Sequence, residues 1–448
     1  MANGPMDRRA FGEQPERPNG NGNGNGSGNT AEYTGRYVVL LDPNNQEGGL
    51  NALRSSADIA PWERVRGAAA ANVSELLERP DVSVLFENLS VAVVEVRPEN
   101  RFALVTTAEA EGSILAAEPE RMVYASPITT PQQAPTDFFP SYRSDDDVVA
   151  HHSQAEAAAS LGPALDEQSV TWGLQAIRAN ISGMTGRGVK VAVLDTGVDT
   201  DHPDLVGCIE ETASFVPGQE VEDGHSHGTH CIGTVAGPRN PLQGPRYGVA
   251  CDARILAGKV LANNGRGPDG GILAGIEWAI SRGAKVISLS LGSPVLPGEI
   301  FPQTYELLAQ RALDMGTVIV AAAGNNSLRP GFVAPVGRPA NCPSILAVGS
   351  LDKALKTAFS SCGGINGLGG EVNIAGPGVA VHSAVPGGGH AMKSGTSMAT
   401  PHVAGVLALL AEANPTASAA DLKAALLSGA FPLTQPARDV GVGLLQAP

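Results

Sequence analysis

Two rhythms of apolar residues run through the second half of the chain. Val189-Lys190-Val191-Ala192-Val193-Leu194 and Val286-Ile287-Ser288-Leu289 are near-continuous β-branched runs, the pattern of parallel strands buried on both faces. Between and after them come small-residue helical patterns, one beyond His225 and one from Val403 to Ala411, the latter closed by Asn414-Pro415. Pro401 is expected in the first turn of that last helix, where a missing N–H costs nothing. The first half reads differently. Arg36–Leu41 is a strand, Leu50–Arg79 carries weak helical patterns, and Val82–Val96 holds one or two strands. Glu99–Ala110 is then a helix, and Ser113–Tyr124 two short strands. Residues 1–35 are a polar tail with a Gly-Asn stretch from Pro18 to Asn29, too poor in apolar residues to fold. Residues 126–170 contain Pro, Gln and the triplet Asp145-Asp146-Asp147, and read as an exposed linker.

Composition narrows the picture. A chain of 448 residues is too long for one ordinary core, so a unit at 36–125 and a domain at 171–448 are expected. The net charge of −15 argues against nucleic acid or an anionic membrane as partner. No apolar stretch reaches the roughly 18–20 residues that a membrane span needs. Residues 1–30 lack the apolar core of a secretory signal, so a cytoplasmic location is expected, with export by a non-standard route as the alternative. Cys208, Cys231, Cys251, Cys342 and Cys362 are odd in number, so at least one is unpaired; Cys231 reads as a core-facing thiol.

Chemistry concentrates in three short segments. Asp195 closes the first apolar run and precedes a glycine turn, at the sheet edge where ligands bind in open α/β folds. His227 lies in His225-Ser226-His227-Gly228-Thr229-His230, and Ser397 in Gly395-Thr396-Ser397-Met398-Ala399-Thr400-Pro401-His402. Ser397 would sit at a helix N-terminus, where N–H groups and the helix dipole favour a developing anion. A serine there is a candidate nucleophile that needs a base and an orienting acid. Asp223, His225, His227 and His230 look on paper like a metal cluster. Asp199 and Asp204 read first as turn or capping residues, and His402 as packing at its helix start.

The Asp-Thr-Gly segment at 195–197, the His-Gly-Thr-His segment at 227–230, the Gly-Thr-Ser-Met-Ala-Thr-Pro-His segment and Ala321-Ala322-Ala323-Gly324-Asn325, in that combination, resemble the subtilisin-like serine proteases. The resemblance implies a subtilisin-like α/β domain with a mostly parallel sheet flanked by helices. It implies a serine endopeptidase in which Ser397 attacks, His227 moves the proton, Asp195 orients the imidazole and Asn325 donates to the oxyanion. Gly265, Gly267, Ser290, Leu291, Gly292 and Gly324 would line the bound peptide, with broad or large apolar specificity. By position and by its β-α-β-β-α-β order, the 36–125 unit resembles a small α+β ferredoxin-like inhibitory prodomain, the alternative being a generic binding module. It would make the chain a zymogen that cuts itself within 126–170. The expected partners are a protein or peptide substrate and the chain's own prodomain, and a monomer is expected. No cofactor is required for the chemistry. Zinc is not expected, because the resemblance implies that His230 faces the core and His225 a loop. Structural calcium is possible, because Asp204 matches a position contributing to a calcium site in relatives, yet the Pro238–Tyr247 loop departs from their pattern. Other activities on the same site are a dedicated processing peptidase or a transpeptidase, and another class is a non-catalytic binding protein.

Overall fold

A computed structural model describes residues 32–67, 73–125 and 166–448. The Gly-Asn tail, the acidic triplet and most of the expected linker lie outside the described residues.

The first unit runs β1 (Tyr33–Leu41), α1 (Gln46–Ala57), β2 (Trp62–Val65), α2 (Ser74–Glu78), β3 (Ser83–Phe86), β4 (Val91–Val94), α3 (Arg101–Ala110) and β5 (Ile114–Ala125). The sheet order is β5-β1-β4-β3-β2, antiparallel except for the β2–β3 pair. This is the expected β-α-β-β-α-β layout with β2 added at the edge. The sequence pattern misses β2, which is short and leaves Glu63 and Arg64 exposed, so no period of two emerges. It also splits β5 wrongly. The two short strands expected over Ser113–Tyr124 are one continuous strand, in which Glu118 and Glu120 turn their carboxylates to the neighbouring domain. In β1 the alternation survives in space although every residue from Tyr37 to Leu41 is buried. Tyr37, Val39 and Leu41 pack with Leu50, Leu53 and Leu104 of the unit's own helices. Val38 and Leu40 share a core with the second domain.

The second domain contains α4 (Trp172–Ala176), β6 (Lys190–Asp195), β7 (Ile209–Ser214), α5 (His227–Ala236), β8 (Arg254–Lys259), β9 (Arg266–Pro268), α6 (Asp269–Ser281), β10 (Val286–Leu289) and β11 (Leu291–Gly292). It continues through α7 (Gln303–Asp314), β12 (Val318–Ala322), β13 (Leu346–Leu351), β14 (Ile374–Pro377), β15 (Val381–Val385), β16 (Gly389–Lys393), α8 (Thr396–Ala413), α9 (Ala419–Ser428) and α10 (Ala437–Val440). Seven strands form a wholly parallel sheet in the order β14-β13-β12-β10-β6-β8-β7. Helices cover both faces, which explains the continuous apolar runs. Val191 and Val193 of β6 face the core formed with α5 and α8, while Ala192 and Leu194 face the core formed with α6 and α7. Among the described residues, no helix is long and apolar enough to cross a membrane.

Candidate active site

Asp195 ends β6 at the C-terminal edge of the sheet and is 1% exposed. Its Oδ1 accepts the Thr196 N–H at 2.7 Å and lies 2.8 Å from Nδ1 of His227, the first residue of α5. The two motifs are stitched by short polar contacts. Thr196 Oγ1 accepts the Gly228 N–H at 2.8 Å and donates to Asp223 Oδ1 at 2.8 Å. Gly197 and Gly228 touch backbone to backbone, since a Cβ on Gly228 would lie 2.2 Å from the Gly197 carbonyl oxygen. Asp223 also accepts the N–H groups of His225, Ser226 and Thr229, and so caps the helix that carries His227. Burial raises its pKa, but the Thr229 N–H, the Thr229 and Thr196 hydroxyls and the His225 N–H together outweigh it and hold the carboxyl below its ordinary value. The sequence reading had Asp223 only as an unlikely metal ligand; an acid just ahead of a helix was the signal to read. Lys259 was also missed. It is fully buried beside Asp195 in the ladder, and its ammonium donates to the carbonyls of Thr196 and Glu222 and to Asn263 Oδ1.

Burial works against an imidazolium at His227, but the adjacent Asp195 carboxylate overcomes it and raises the pKa well above 6.5. Its Nε2 is buried with no hydrogen-bond partner among the described residues. Cys231, one turn along α5, is buried in the domain core as expected, and it also touches the site. Its Sγ lies 3.9 Å from His227 Nδ1 and 3.6 Å from the Ser397 carbonyl. Burial raises its pKa, so it is a neutral thiol at this site. Among the described residues, Asp195, His227 and Cys231 are the one group of potential metal-ligating atoms within 4.8 Å of one another.

Ser397 is the second residue of α8 and 1% exposed. Its hydroxyl donates to the Ser290 carbonyl at 3.2 Å, and its own carbonyl accepts the Ser290 hydroxyl at 2.8 Å. Ser290 therefore braces the nucleophile candidate between β10 and β11. Pro401 lies inside α8, not in its first turn. As residue i+4 to Ser397 it cannot donate the helix bond that the Ser397 carbonyl would otherwise accept. Ser290 and Cys231 supply the donors instead. Asn325 follows β12, and its Oδ1 accepts the Thr396 N–H at 2.9 Å. Because that N–H can only donate, it fixes which end of the amide is oxygen. Gly324 contributes through its backbone, its N–H donating to Thr396 Oγ1 at 3.2 Å.

The cleft beside Ser397 is filled by β5 of the first unit. β5 pairs antiparallel with β9 on one side, as Val123 with Gly267 and Tyr124 with Arg266. On the other side it pairs with β11, as Tyr124 with Gly292 and Ala125 with Leu291. The Ala125 N–H donates to the Gly265 carbonyl at 2.9 Å. Thus Gly265, Gly267, Leu291 and Gly292 all meet the extended strand β5. The glycines serve close packing behind that strand: a Cβ would lie 2.2 Å from Val260 O at Gly267 and 2.4 Å from Arg338 O at Gly292.

Among the described residues, His225 and His230 do not join His227 in a group of three potential metal-ligating atoms. His230 is buried, bonds the carbonyls of Val381 and Ala391, and is pushed down to about 3 by burial. His225 is exposed at the cleft rim. His402 accepts no substrate role: its Nδ1 lies 2.9 Å from the Met398 carbonyl. Calcium does not fit at Asp204. Its Oδ1 accepts the Leu242 N–H at 3.1 Å, and its Oδ2 meets Tyr247 Oη and His390 Nε2, each at 2.9 Å. Protein donors stand where a cation would need oxygen ligands. All five cysteines are free.

The model of the subtilase family matches residues 186–443. The chain is 42% identical to subtilisin of Bacillus pumilus over 269 residues, 59% of this chain and 92% of that protein. It is also 42% identical to subtilisin E of Bacillus subtilis (strain 168), over 59% of this chain and 66% of that one. Among solved structures, sphericase is similar with a TM-score of 0.56 and 32% identity, covering 64% of this chain and 100% of its own. The chain belongs to the subtilase family and is a serine endopeptidase.

Proposed function

We propose that the chain cleaves protein substrates through an acyl-enzyme built on Asp195, His227 and Ser397. The observation that carries this reading is the buried 2.8 Å contact of Asp195 Oδ1 with His227 Nδ1, which leaves Nε2 for the serine. Rotation of the Ser397 side chain away from the Ser290 carbonyl brings its hydroxyl to Nε2. His227 takes the proton as Oγ bonds to the peptide carbonyl carbon. The negative charge on the former carbonyl oxygen is met by the Asn325 amide and the N–H groups of the first turn of α8. Collapse breaks the C–N bond, and the imidazolium passes its proton to the departing amine. Water then repeats the sequence on the ester and frees Ser397. The Asp204 donor set does not fit calcium, and none of these steps needs a metal.

The first unit acts as a tethered inhibitor in this reading. Support comes from β5 lying between β9 and β11, where a substrate strand would add. A tether raises its effective concentration, so modest affinity keeps the cleft closed until the chain cuts itself within residues 126–170. Treatment with a serine-directed phosphonofluoridate and mass mapping tests both parts. Label is expected on Ser397 and lost in Asp195→Asn. Wild type is expected as fragments of roughly 13–18 and 29–33 kDa, with Ser397→Ala at full length. Label on another residue sinks the triad assignment; an uncut, fully active wild type sinks the inhibitor assignment.

A further inference from the structure

Arg266 stands in β9, at the rim of the cleft and about half exposed. Three contacts with the first unit converge on it. Its guanidinium lies 5.0 Å from the centroid of the Tyr124 ring. Its Nη2 is 2.8 Å from Glu32 Oε2 and 3.4 Å from Tyr124 Oη. Tyr124 Oη in turn donates to Glu32 Oε2 at 2.7 Å. The strand filling the cleft thus presents this arginine with the aromatic face of Tyr124, and Glu32, just ahead of β1, adds a carboxylate beside it; these are the two partners a guanidinium prefers.

The ladder register says which substrate residue inherits that position. Leu291 pairs with Ala125 and Gly292 with Tyr124, and the carbonyl of the preceding Ser290 holds the Ser397 hydroxyl. A peptide in the same register puts its acyl-donor residue opposite Ser290. Its second residue before the cut then replaces Ala125, and its third replaces Tyr124. We propose that Arg266 is a specificity-determining residue, favouring an aromatic or acidic side chain at the third residue before the scissile bond and disfavouring a basic one. This rests on the reading of the cleft given above.

Exposed cation–π and ion-pair contacts are modest, so the expected discrimination is about three- to tenfold in kcat/KM and not an absolute requirement. Four peptides that differ only at that position (Phe, Glu, Ala, Lys) test it on the full-length expression product, its active sites counted by covalent serine labelling. Wild type is expected to prefer Phe and Glu over Ala, and Ala over Lys. Arg266→Glu is expected to reverse the order of Glu and Lys. Arg266→Lys is expected to keep Glu over Lys while losing most of the preference for Phe. A wild-type profile that is flat, or that persists in Arg266→Glu, overturns the assignment while leaving the catalytic reading intact. Absence of both labelling and hydrolysis in wild type would instead overturn the catalytic reading, and this one with it.

Discussion

His227 sits under two opposed influences, and their balance sets the working pH. Burial favours the neutral ring, but the Asp195 carboxylate overrides it and raises the pKa above 6.5. The ring must be neutral to accept the Ser397 proton, so kcat/KM is expected to rise with pH through a midpoint above the ordinary imidazole value. Asp195→Asn removes the charge that raises the pKa. It is expected to move that midpoint downward and to lower kcat by roughly 10⁴-fold, a loss known for this substitution in another serine protease triad. An unmoved midpoint in the pH profile of the variant would show that Asp195 does not control the imidazole. Single residues also explain the local backbone. Pro401 frees the Ser397 carbonyl from the helix ladder, and Ser290 and Cys231 then hold it.

Secondary-structure elements are locked together by buried polar pairs, and the one at Asp204 joins three segments. Asp204, in the loop after β6, bonds Leu242 and Tyr247 of one loop and His390 of the β15–β16 hairpin. Burial raises its pKa, yet these donors prevail and lower it. A carboxyl with a depressed folded pKa contributes stability above its unfolded value near 3.9, and that contribution disappears as pH falls through the folded pKa. Asp204→Ala leaves three donors without their acceptor and is expected to cost about 1–3 kcal/mol in urea unfolding at pH 7. EDTA is expected to shift the Tm of wild type and variant equally. A chelator effect seen in wild type and absent in the variant would place a cation at Asp204 after all.

At the scale of the whole molecule, the two bodies meet through carboxylates as well as through the apolar core. Glu118 and Glu120 of β5 accept N–H groups at the starts of α7 and α6, at Gln303 and Gly270. Asp269 is sealed between the bodies, accepting the Arg121 N–H and the Tyr305 hydroxyl, each within 2.9 Å. Burial, reinforced by the charge of Glu120, pushes Asp269 up to about 6 against the pull of those donors and of Arg121. Glu277, further along α6, receives Gly67 and Leu89 N–H groups and is likewise raised by burial. Once the first unit leaves, an exposed Asp269 returns toward the ordinary value near 3.9. Between that value and about 6 the docked state holds a proton that the separated state lacks. Docking is therefore expected to weaken as pH rises toward 6 and then to level off. After cleavage of the linker, the dissociation constant of the first unit should be about tenfold or more lower at pH 4.5 than at pH 7.5, by titration calorimetry. Asp269→Asn should flatten that dependence; an unchanged slope in the variant would assign it to other groups.

Much of this was legible in the residues alone. Strands buried on both faces announce themselves as β-branched runs, so β6 and β10 were readable, as was α8 from its apolar length and its Asn414-Pro415 stop. The aspartate, histidine and serine segments were readable because each carries a local backbone requirement, such as the touching Gly197 and Gly228. Other features were decided by partners distant in sequence. β5 looked like two strands because its polar middle serves helix ends far along the chain at Gly270 and Gln303. Asp223, Lys259 and Cys231 looked ordinary because their roles depend on a turn, a buried ladder position and a carbonyl contributed by other segments. Local sequence determines which stretches can become strand, helix or reactive turn, because propensity and apolar period act over a few residues. Which side chains then face one another is decided only when the sheet closes, because burial and hydrogen bonding act through space between segments that the chain order keeps apart.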